Sequence, residues 1–258
     1  MCGIAGGIGL IDNNIKDIVN SLMHRGPDSH GIYKHNIMSL IHTRLSIQDI
    51  EHGFQPFLIG SYVIIFNGEI YNHLSLRSKV AHYKFKTQSD TETFLALFVE
   101  YGISALNDCD GMFAFAILDK KSNKLFLGRD RAGKKPLYFY KKEKAFVFAS
   151  ELSTLKIGVP DLEIDKSQIY SYIRNGFFYR ENTPYKHVFE VAPSRVYTVD
   201  LNSLRIEKKC YFNYLDYYKK DKISNFNIAL SRVDKCLHQS IKDRLLSSDL
   251  EVGAFLSG

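Results

Sequence analysis

The sequence lacks tryptophan, has only four cysteines among its 258 residues, and contains no long apolar run. Its longest apolar stretch, Met112 to Leu118, is far shorter than the ~20 residues needed to span a bilayer. No Lys or Arg precedes the short apolar stretch at the N-terminus, so the pattern of a secretory signal is absent. The cysteines show no CxxC spacing and no neighbouring cluster of histidines, which argues against a zinc site. These absences predict a cytoplasmic protein with no membrane span and no metal.

Charge and apolar content indicate a globular protein. Basic residues exceed acidic ones by 34 to 28, but the excess is spread along the chain without an Arg-rich helix, so no nucleic-acid partner is expected. Hydrophobic residues make up 45% of the chain, with 18 Phe and 16 Tyr, which is enough for a sizeable core. In a reducing cytosol, Cys109, Cys210 and Cys236 are expected to be small buried apolar side chains.

Residues 3 to about 212 have the pattern of many short strands with a few helices. The strand candidates are rich in Phe, Ile, Val and Tyr and are separated by polar turns, which favours antiparallel pairing. They are Ile4–Ile8, Tyr62–Phe66, Met112–Leu118, Lys124–Leu127, Leu137–Tyr140, Ala145–Phe148 and Val196–Val199. A capping-box pattern at Ser89–Glu92 predicts a helix that ends at Gly102, and a second helix is predicted around Asp165 to Asn175.

The pattern changes near residue 213. Tyr214 to Lys222 is rich in Lys, Asp and Tyr and is typical of a linker. Apolar residues then recur three or four positions apart from Phe226 to Leu245, which predicts a long amphipathic helix. Leu250 to Leu256 has the pattern of a strand, and Ser257 and Gly258 follow it. Because a parallel α/β domain begins in this way, we expect a first domain over 2–212 and the truncated start of a second over 213–258.

Cys2 is the first candidate for chemistry. Methionine is usually trimmed before a small residue, which would make Cys2 the N-terminus and leave its own α-amine as a base. An α-amine has a reference pKa of about 7.7–8.0, and a thiol with a pKa of about 8.5 needs only modest help to ionise. For Met-Cys alone, a chance cysteine at an irrelevant terminus would be the simpler interpretation.

A second group of polar residues lies after a predicted strand. Asn67-Gly68 is most often a hairpin turn, but an Asn amide beside a Gly N–H also supplies two donors for a developing oxyanion. Glu69 and Asp90 could recognise a cation, and Arg44 could hold a carboxylate through a bidentate contact, which together suit a zwitterionic amino acid. Taken singly, Asp90 is equally well explained as a favourable charge at a helix N-terminus, and Arg44 as a surface ion pair.

The candidate residues lie within several short sequence blocks that occur in a fixed order along the chain, and chance agreement of so many ordered blocks is negligible. They are Met1-Cys2-Gly3-Ile4-Ala5-Gly6, Arg25-Gly26-Pro27-Asp28, Thr43-Arg44-Leu45-Ser46-Ile47, Gln55-Pro56, Asn67-Gly68-Glu69-Ile70-Tyr71-Asn72, Ser89-Asp90-Thr91-Glu92, Asp110-Gly111-Met112-Phe113, Arg129-Asp130-Arg131 with Lys135-Pro136-Leu137-Tyr138, and Phe148-Ala149-Ser150-Glu151. They closely resemble the amidotransferase half of the glutamine-hydrolysing asparagine synthetases, over essentially residues 2 to 212. Ala132, Lys134 and the Ala192-Pro193-Ser194-Arg195 block depart from the usual pattern, which leaves the amide acceptor open.

The resemblance implies an α+β fold of the N-terminal-nucleophile (Ntn) hydrolase type, an αββα sandwich of two antiparallel sheets. It also implies hydrolysis of L-glutamine to glutamate and ammonia. In that chemistry Cys2 would form a γ-glutamyl thioester, with its own α-amine moving the proton. Asn67 and the Gly68 N–H would form the oxyanion hole.

The same resemblance assigns residues to the glutamine substrate. Arg44 would bind the α-carboxylate, while Glu69 and Asp90 would recognise the α-ammonium group. The backbone that would wall the pocket belongs to Leu45, Ser46, Ile47 and Gln48. No cofactor is expected in this glutaminase domain.

The last residues are similar to the same family. Val252 to Gly258 looks like the opening of the ATP-pyrophosphatase loop in the synthetase half, and Leu256, Ser257 and Gly258 would begin its ATP site. ATP and Mg²⁺ are therefore expected only for that synthetase domain, where aspartate would be amidated. The resemblance is compatible with a homodimer.

Two alternatives remain open at this point. The same glutaminase chemistry could serve another acceptor, such as a sugar carboxylate in polysaccharide biosynthesis. The domain could also be a non-catalytic binding or assembly module, although packing alone does not require Cys2, Arg44, Asn67, Glu69 and Asp90 together.

Overall fold

The computed structural model describes residues 1–9, 12–251 and 253, with the side chains of residues 12 and 13 left aside. Its strands are β1 (Gly3–Ile8), β2 (Ser29–His35), β3 (Met38–Arg44), β4 (Phe57–Ile59), β5 (Tyr62–Ile70), β6 (Gly111–Asp119), β7 (Lys124–Arg129), β8 (Tyr138–Lys142), β9 (Ala145–Ala149), β10 (Val188–Glu190), β11 (Arg195–Asp200) and β12 (Ile206–Cys210). Its helices are α1 (Asp12–Leu22), α2 (His73–Leu76), α3 (Asp90–Tyr101), α4 (Leu152–Gly158), α5 (Lys166–Asn175), α6 (Leu215–Tyr218) and α7 (Phe226–Leu246). Short 3₁₀ helices, Arg77–Val80 and Gly102–Asn107, follow α2 and α3.

The strands form two antiparallel six-stranded sheets. The first has the order β10-β8-β9-β1-β3-β2, and the second has the order β12-β11-β7-β6-β5-β4. Helices α1 and α4 pack on the outer face of the first sheet, and α3 packs on the outer face of the second. The predicted αββα sandwich of two antiparallel sheets is therefore confirmed.

The apolar core lies in three layers, and strand β5 shows how the sequence produces them. Val63 and Ile65 point into the cluster between the two sheets, whereas Ile64 and Phe66 point toward α3. Since successive side chains of a strand face opposite sides, a strand buried on both faces can be apolar at consecutive positions. This explains the unbroken apolar run of β5, which gives no alternating pattern.

All seven predicted strands are present, but their ends differ from the prediction. The main correction concerns β5, which does not stop at Phe66 but continues to Ile70, paired with β6. Asn67-Gly68 is therefore part of a strand and not a hairpin turn. Strand β8 begins at Tyr138 instead of Leu137, and its turn to β9 is shorter than predicted. Helices α1, α2 and α4 and the five strands β2, β3, β4, β10 and β12 have no counterpart in the prediction.

The start of α3 follows the prediction only in part. Ser89 caps the helix by accepting a hydrogen bond from Thr91 N at 3.1 Å, and Gly102 ends it. Glu92, however, does not return to the cap as a capping box requires. Its fully buried carboxylate instead accepts hydrogen bonds from Thr87 N at 2.7 Å and Lys86 N at 2.9 Å. The side chain thus fixes the loop before the helix.

The cysteines also differ from the prediction. Cys109 is buried, as expected, but Cys210 and Cys236 are exposed. The reason is their position: Cys210 ends the edge strand β12, and Cys236 lies on α7, whose residues are not buried.

The predicted C-terminal helix is confirmed as α7, and the predicted linker contains the single helical turn α6. The ATP-site residues Leu256, Ser257 and Gly258 lie outside the described residues, as does most of the predicted strand from Leu250 to Leu256. Among the helices that the structure describes, none combines the length and the apolar character needed to cross a bilayer.

Candidate active site

Cys2 is held at one end of the first sheet. It directly precedes β1, whose pairing with β3 places it beside the end of that strand. Arg25 Nε donates to the carbonyl oxygen of Cys2 at 3.1 Å, and Arg25 Nη1 forms an ion pair with Glu151 at 2.8 Å. The backbone N–H of Leu45 donates to Cys2 Sγ at 3.4 Å. The thiol is therefore positioned by contacts from distant parts of the chain.

Electrostatics keep the Cys2 thiol protonated unless a base is near. Burial raises the pKa of Cys2, while the Leu45 N–H and the positive charge of the amino terminus oppose that rise. Burial also lowers the pKa of the amino group at Met1 below its ordinary value. A protonated thiol thus lies near an amine that is easily neutral, and such a pair can exchange a proton.

Asn67 presents a free amide at the opposite side of the cavity. The residue is only 1% exposed, yet no described residue accepts a hydrogen bond from its Nδ2. A buried donor without a partner is costly, and among the described residues with such an atom only Asn67 lines the cavity. Asn67 Nδ2 is therefore available to a ligand oxygen.

The backbone N–H of Gly68 faces the same space. In a strand, successive N–H groups alternate between the two edges, so those of residues 66, 68 and 70 point the same way. Phe66 N donates to Gln55 Oε1 at 2.6 Å, and Ile70 N donates to Asp90 Oδ2 at 2.8 Å. The Gly68 N–H lies between these two contacts and points into the cavity. A Cβ at Gly68 would lie 2.2 Å from the Met112 carbonyl oxygen, so only glycine fits.

Two carboxylates, Glu69 and Asp90, line the same cavity as Asn67 and Gly68. Asp90 is buried at the first position of α3. It is therefore both the negative charge at a helix N-terminus and a residue of the candidate site. Burial, with the negative charge of Glu69 adding to it and the hydrogen bond from Ile70 N opposing it, raises the pKa of Asp90 to about 7. At pH 7 this carboxyl group is poised between its two charge states.

Arg44 is buried and does not form the surface ion pair considered above. Its Nη2 donates to the carbonyl oxygens of Gln48 at 3.2 Å and Asp49 at 2.6 Å, and its Nη1 donates to that of Ile50 at 3.0 Å. Both bidentate edges of a guanidinium include an Nη2 hydrogen, and here both are used. The predicted bidentate grip on a carboxylate would therefore require one of these loop contacts to be released.

Gln48 contributes its side chain as well as its backbone. Its Oε1 accepts from Asp90 N at 3.2 Å, and its Nε2 lies 2.8 Å from His73 Nε2. Burial lowers the pKa of His73 to about 4, so the neutral ring accepts this hydrogen bond. Ser46, by contrast, is not among the described residues that line the cavity, and its N–H donates to Asp28 Oδ2 at 2.7 Å.

One cavity of about 150 Å³ brings the predicted residues together. Its described lining includes every residue predicted for the glutaminase site except Ser46. It also includes Lys135, which the sequence reasoning missed although the residue stands in one of the quoted blocks. Lys135 is 6% exposed, and burial lowers its pKa against the attraction of Glu69. The cavity therefore carries both signs of charge, as a zwitterionic ligand requires. The described residues include no group of three or more His, Cys, Asp or Glu placed to hold a metal ion.

Comparison with known structures defines the class of fold. The glutamine phosphoribosylpyrophosphate amidotransferase of Bacillus subtilis superposes with a TM-score of 0.61 at 19% identity, covering 82% of this chain and 49% of that protein. At this identity the likeness concerns the fold, which is that of the Ntn amidotransferases.

Comparison of sequences defines the family. Residues 1–212 match the glutamine amidotransferase domain family, and the chain belongs to it. The glutamine-hydrolysing asparagine synthetase 1 of B. subtilis is 36% identical over 255 residues, which cover 95% of this chain and 38% of that protein. Asparagine synthetase B of Escherichia coli is 33% identical over 241 residues, covering 92% and 38%. The chain spans about half the length, or less, of the curated relatives it matches.

Proposed function

We propose that this chain hydrolyses L-glutamine to glutamate and ammonia at Cys2, as the glutaminase part of an asparagine synthetase. The observation that carries the proposal is the unpartnered, buried amide of Asn67 in the same cavity as the Cys2 thiol. A thiol nucleophile and a free oxyanion donor around one enclosed space are the two groups that amide hydrolysis needs.

The reaction has two halves. The Cys2 thiolate attacks the side-chain amide carbon of glutamine, and the negative charge moves to the amide oxygen. Asn67 Nδ2 and the Gly68 N–H donate to that oxygen. The C–N bond then breaks, the nitrogen takes a proton and leaves as ammonia, and a γ-glutamyl thioester remains. Water attacks the thioester, which releases glutamate and returns the thiol.

The base in this scheme is the α-amine of Cys2, which is free only after removal of Met1. Met1 lines the cavity, so its removal would also enlarge the space for glutamine. Burial lowers the pKa of the Met1 amine, and the same enclosure would favour the neutral, proton-accepting form of a Cys2 amine beside it.

Substrate recognition uses the charges of the cavity. Glu69 and Asp90 bind the α-ammonium group, and Arg44 attracts the α-carboxylate through the donors that the Gln48–Ile50 loop leaves free. The backbone of residues 45–48 bounds the site. The glutaminase step itself uses no cofactor.

We propose aspartate as the amide acceptor, because the relatives above are named asparagine synthetases. ATP and Mg²⁺ would activate it in a synthetase domain beyond the amidotransferase domain, with Leu256, Ser257 and Gly258 at the start of the ATP site. The reaction takes place in the cytoplasm on this proposal.

The test is covalent labelling with an electrophilic diazoketone analogue of glutamine. We expect intact mass to show loss of Met1, and peptide mapping to show a single adduct at Cys2. The exposed Cys210 and Cys236 are internal controls, since a reagent that merely alkylates accessible thiols would modify them first.

Cys2→Ala should abolish both labelling and ammonia release. Labelling that persists in Cys2→Ala, or an unlabelled wild-type chain that still binds glutamine, would refute the proposal and favour a non-catalytic binding domain.

A further inference from the structure

The turn at the end of α7 lies against the cavity. We call residues 244–249 the α7 turn. No residue of α7 itself is buried, yet Ser247, its C-terminal cap, is only 5% exposed. A hydroxyl buried at the end of an otherwise exposed helix indicates that this end is packed against the rest of the protein.

The α7 turn contacts three segments of the site. Ser247 Oγ lies 3.0 Å from Glu69 Oε2. Asp249 N donates to the Ile47 carbonyl oxygen at 3.0 Å, and Asp249 Oδ2 accepts from Asp49 N at 2.8 Å. The Arg244 guanidinium lies 4.5 Å from the centre of the Tyr71 ring, on the segment that follows β5. These contacts join the cavity to a segment beyond the amidotransferase match at 1–212.

We propose that the α7 turn completes the glutamine pocket, and that Ser247 is a positioning residue for the Glu69 carboxylate. The inference rests on the proposed function, in which Glu69 binds the α-ammonium group of glutamine. Asp249 has a parallel role, because it fixes both ends of the Ile47–Asp49 segment that walls the same pocket.

The chemistry of the contact supports this role. A serine hydroxyl has one proton, and here it lies 3.0 Å from two acceptors, Glu69 Oε2 and the Arg244 carbonyl oxygen. The charged carboxylate is the stronger acceptor and takes the proton. No described residue donates to Glu69 Oε1, so fixing Oε2 orients Oε1 for a ligand. A glutamate side chain that is already ordered loses less rotamer entropy when the ammonium group binds.

The test compares two substrates that differ only at the α-carbon. Glutaramate is glutamine without the α-amino group, so it cannot use the ammonium site. We expect Ser247→Ala to raise the KM for glutamine about three- to ten-fold with kcat unchanged, and to leave the KM for glutaramate unchanged. Ser247→Thr keeps the hydroxyl and should restore the KM.

Ser248→Ala is the matched control, since the Ser248 hydroxyl bonds only Leu250 among the described residues. An unchanged glutamine KM in Ser247→Ala, or an equal change for both substrates, would overturn the inference, because a merely structural role would affect both alike.

Glu69→Gln separates this inference from the proposed function. If Glu69→Gln raises the glutamine KM while Ser247→Ala does not, the inference fails and the ammonium site stands. If Glu69→Gln leaves the KM unchanged, the ammonium assignment fails and the inference falls with it. If both hold, adding Ser247→Ala to Glu69→Gln should give no further rise in KM.

Discussion

Glutamine binding should weaken steeply in acid because of Asp90. The residue is enclosed, it accepts a hydrogen bond from Ile70 N, and it lies beside the negative charge of Glu69. Burial raises its pKa from 3.8 to about 7, so near neutral pH a large fraction of this group is protonated and uncharged. On the proposed function, only the ionised form attracts the α-ammonium group of glutamine.

The magnitude follows from the pKa. Below pH 7 the ligand can bind only after Asp90 has lost a proton, so the dissociation constant rises about ten-fold for each unit of pH. Relative to pH 8, we expect about ten-fold weaker binding at pH 6 and about hundred-fold weaker binding at pH 5. Near pH 6 each binding event should release close to one proton, and near pH 8.5 almost none.

The assay is calorimetric titration of Cys2→Ala with glutamine from pH 5 to pH 8.5, in buffers of different ionisation enthalpy. The substitution removes both turnover and the titration of the thiol. His73 does not interfere, since burial lowers its pKa to about 4. Burial lowers the pKa of the terminal amine, and this group is retained in the control, so its contribution is common to both proteins.

The control is Asp90→Asn in the same background. It should bind glutamine weakly at every pH and lack the proton release and the slope that Asp90 causes, so that any remaining slope reports the terminal amine. A dissociation constant of Cys2→Ala that stays flat between pH 5 and pH 8, or an equal slope after Asp90→Asn is added, would refute the reasoning.

The same pKa predicts an effect on stability with the opposite sign to that of an ordinary carboxylate. The folded pKa of about 7 exceeds the reference value of about 3.9, so the folded state holds an extra proton between these limits. Stability from Asp90 is complete below pH 4 and is lost as pH rises through 7. Relative to Asp90→Asn, the free energy of unfolding of the wild type should therefore fall by up to about 4 kcal/mol across this range. Urea unfolding at several pH values measures it, and parallel curves for the two proteins would contradict the prediction.

Three further substitutions test other parts of the site and the fold. Asn67→Ala should lower kcat about 10²- to 10³-fold with little change in KM, measured by ammonia release; a change in KM alone would remove Asn67 from the oxyanion hole. Lys135→Met should raise the pKa of Cys2, since a cation is removed from its cavity, and should slow labelling at pH 7 about three- to ten-fold with recovery at higher pH; a pH-independent loss would indicate misfolding instead. Glu92→Gln should lower the free energy of unfolding by about 2–4 kcal/mol, because the fully buried carboxylate accepts several hydrogen bonds from the 83–87 loop. The exposed Glu100→Gln is its control in urea unfolding and should change little.

Elements with a local signal were predictable from sequence. Strand β6 is predicted from its run of apolar and aromatic side chains. Helix α3 is predicted from the capping residue Ser89 and from Gly102, where it ends. Helix α1 carries a local signal that the prediction missed, since the buried Ile15, Ile18, Val19 and Leu22 recur three or four positions apart. Strand β3 has no such signal. Strand β3 is buried at every position, so it has no alternation, and its sequence Met38–Arg44 mixes apolar with polar side chains.

The prediction ends β5 at Phe66 because Asn67-Gly68 is a strong local turn signal. Pairing with β6 along the whole of β5 overrides that preference. Tertiary contacts also override the local pattern at Glu92. Its spacing from Ser89 suits a capping box, but the loop before the helix offers its carboxylate more hydrogen-bond donors.

The sequence by itself determined the family, the fold class and most of the chemical groups of the site, since these are carried by residue types in a fixed order. Only the tertiary structure decided how the groups are used. It commits Arg44 to three carbonyl oxygens of its own loop and buries Lys135 in the cavity. It also leaves Asn67 Nδ2 without a partner among the residues that the structure describes. It also brings Ser247 to Glu69 across 178 positions of chain. Local patterns report only on neighbours within a few residues, whereas these contacts depend on how two sheets and the end of α7 meet in space.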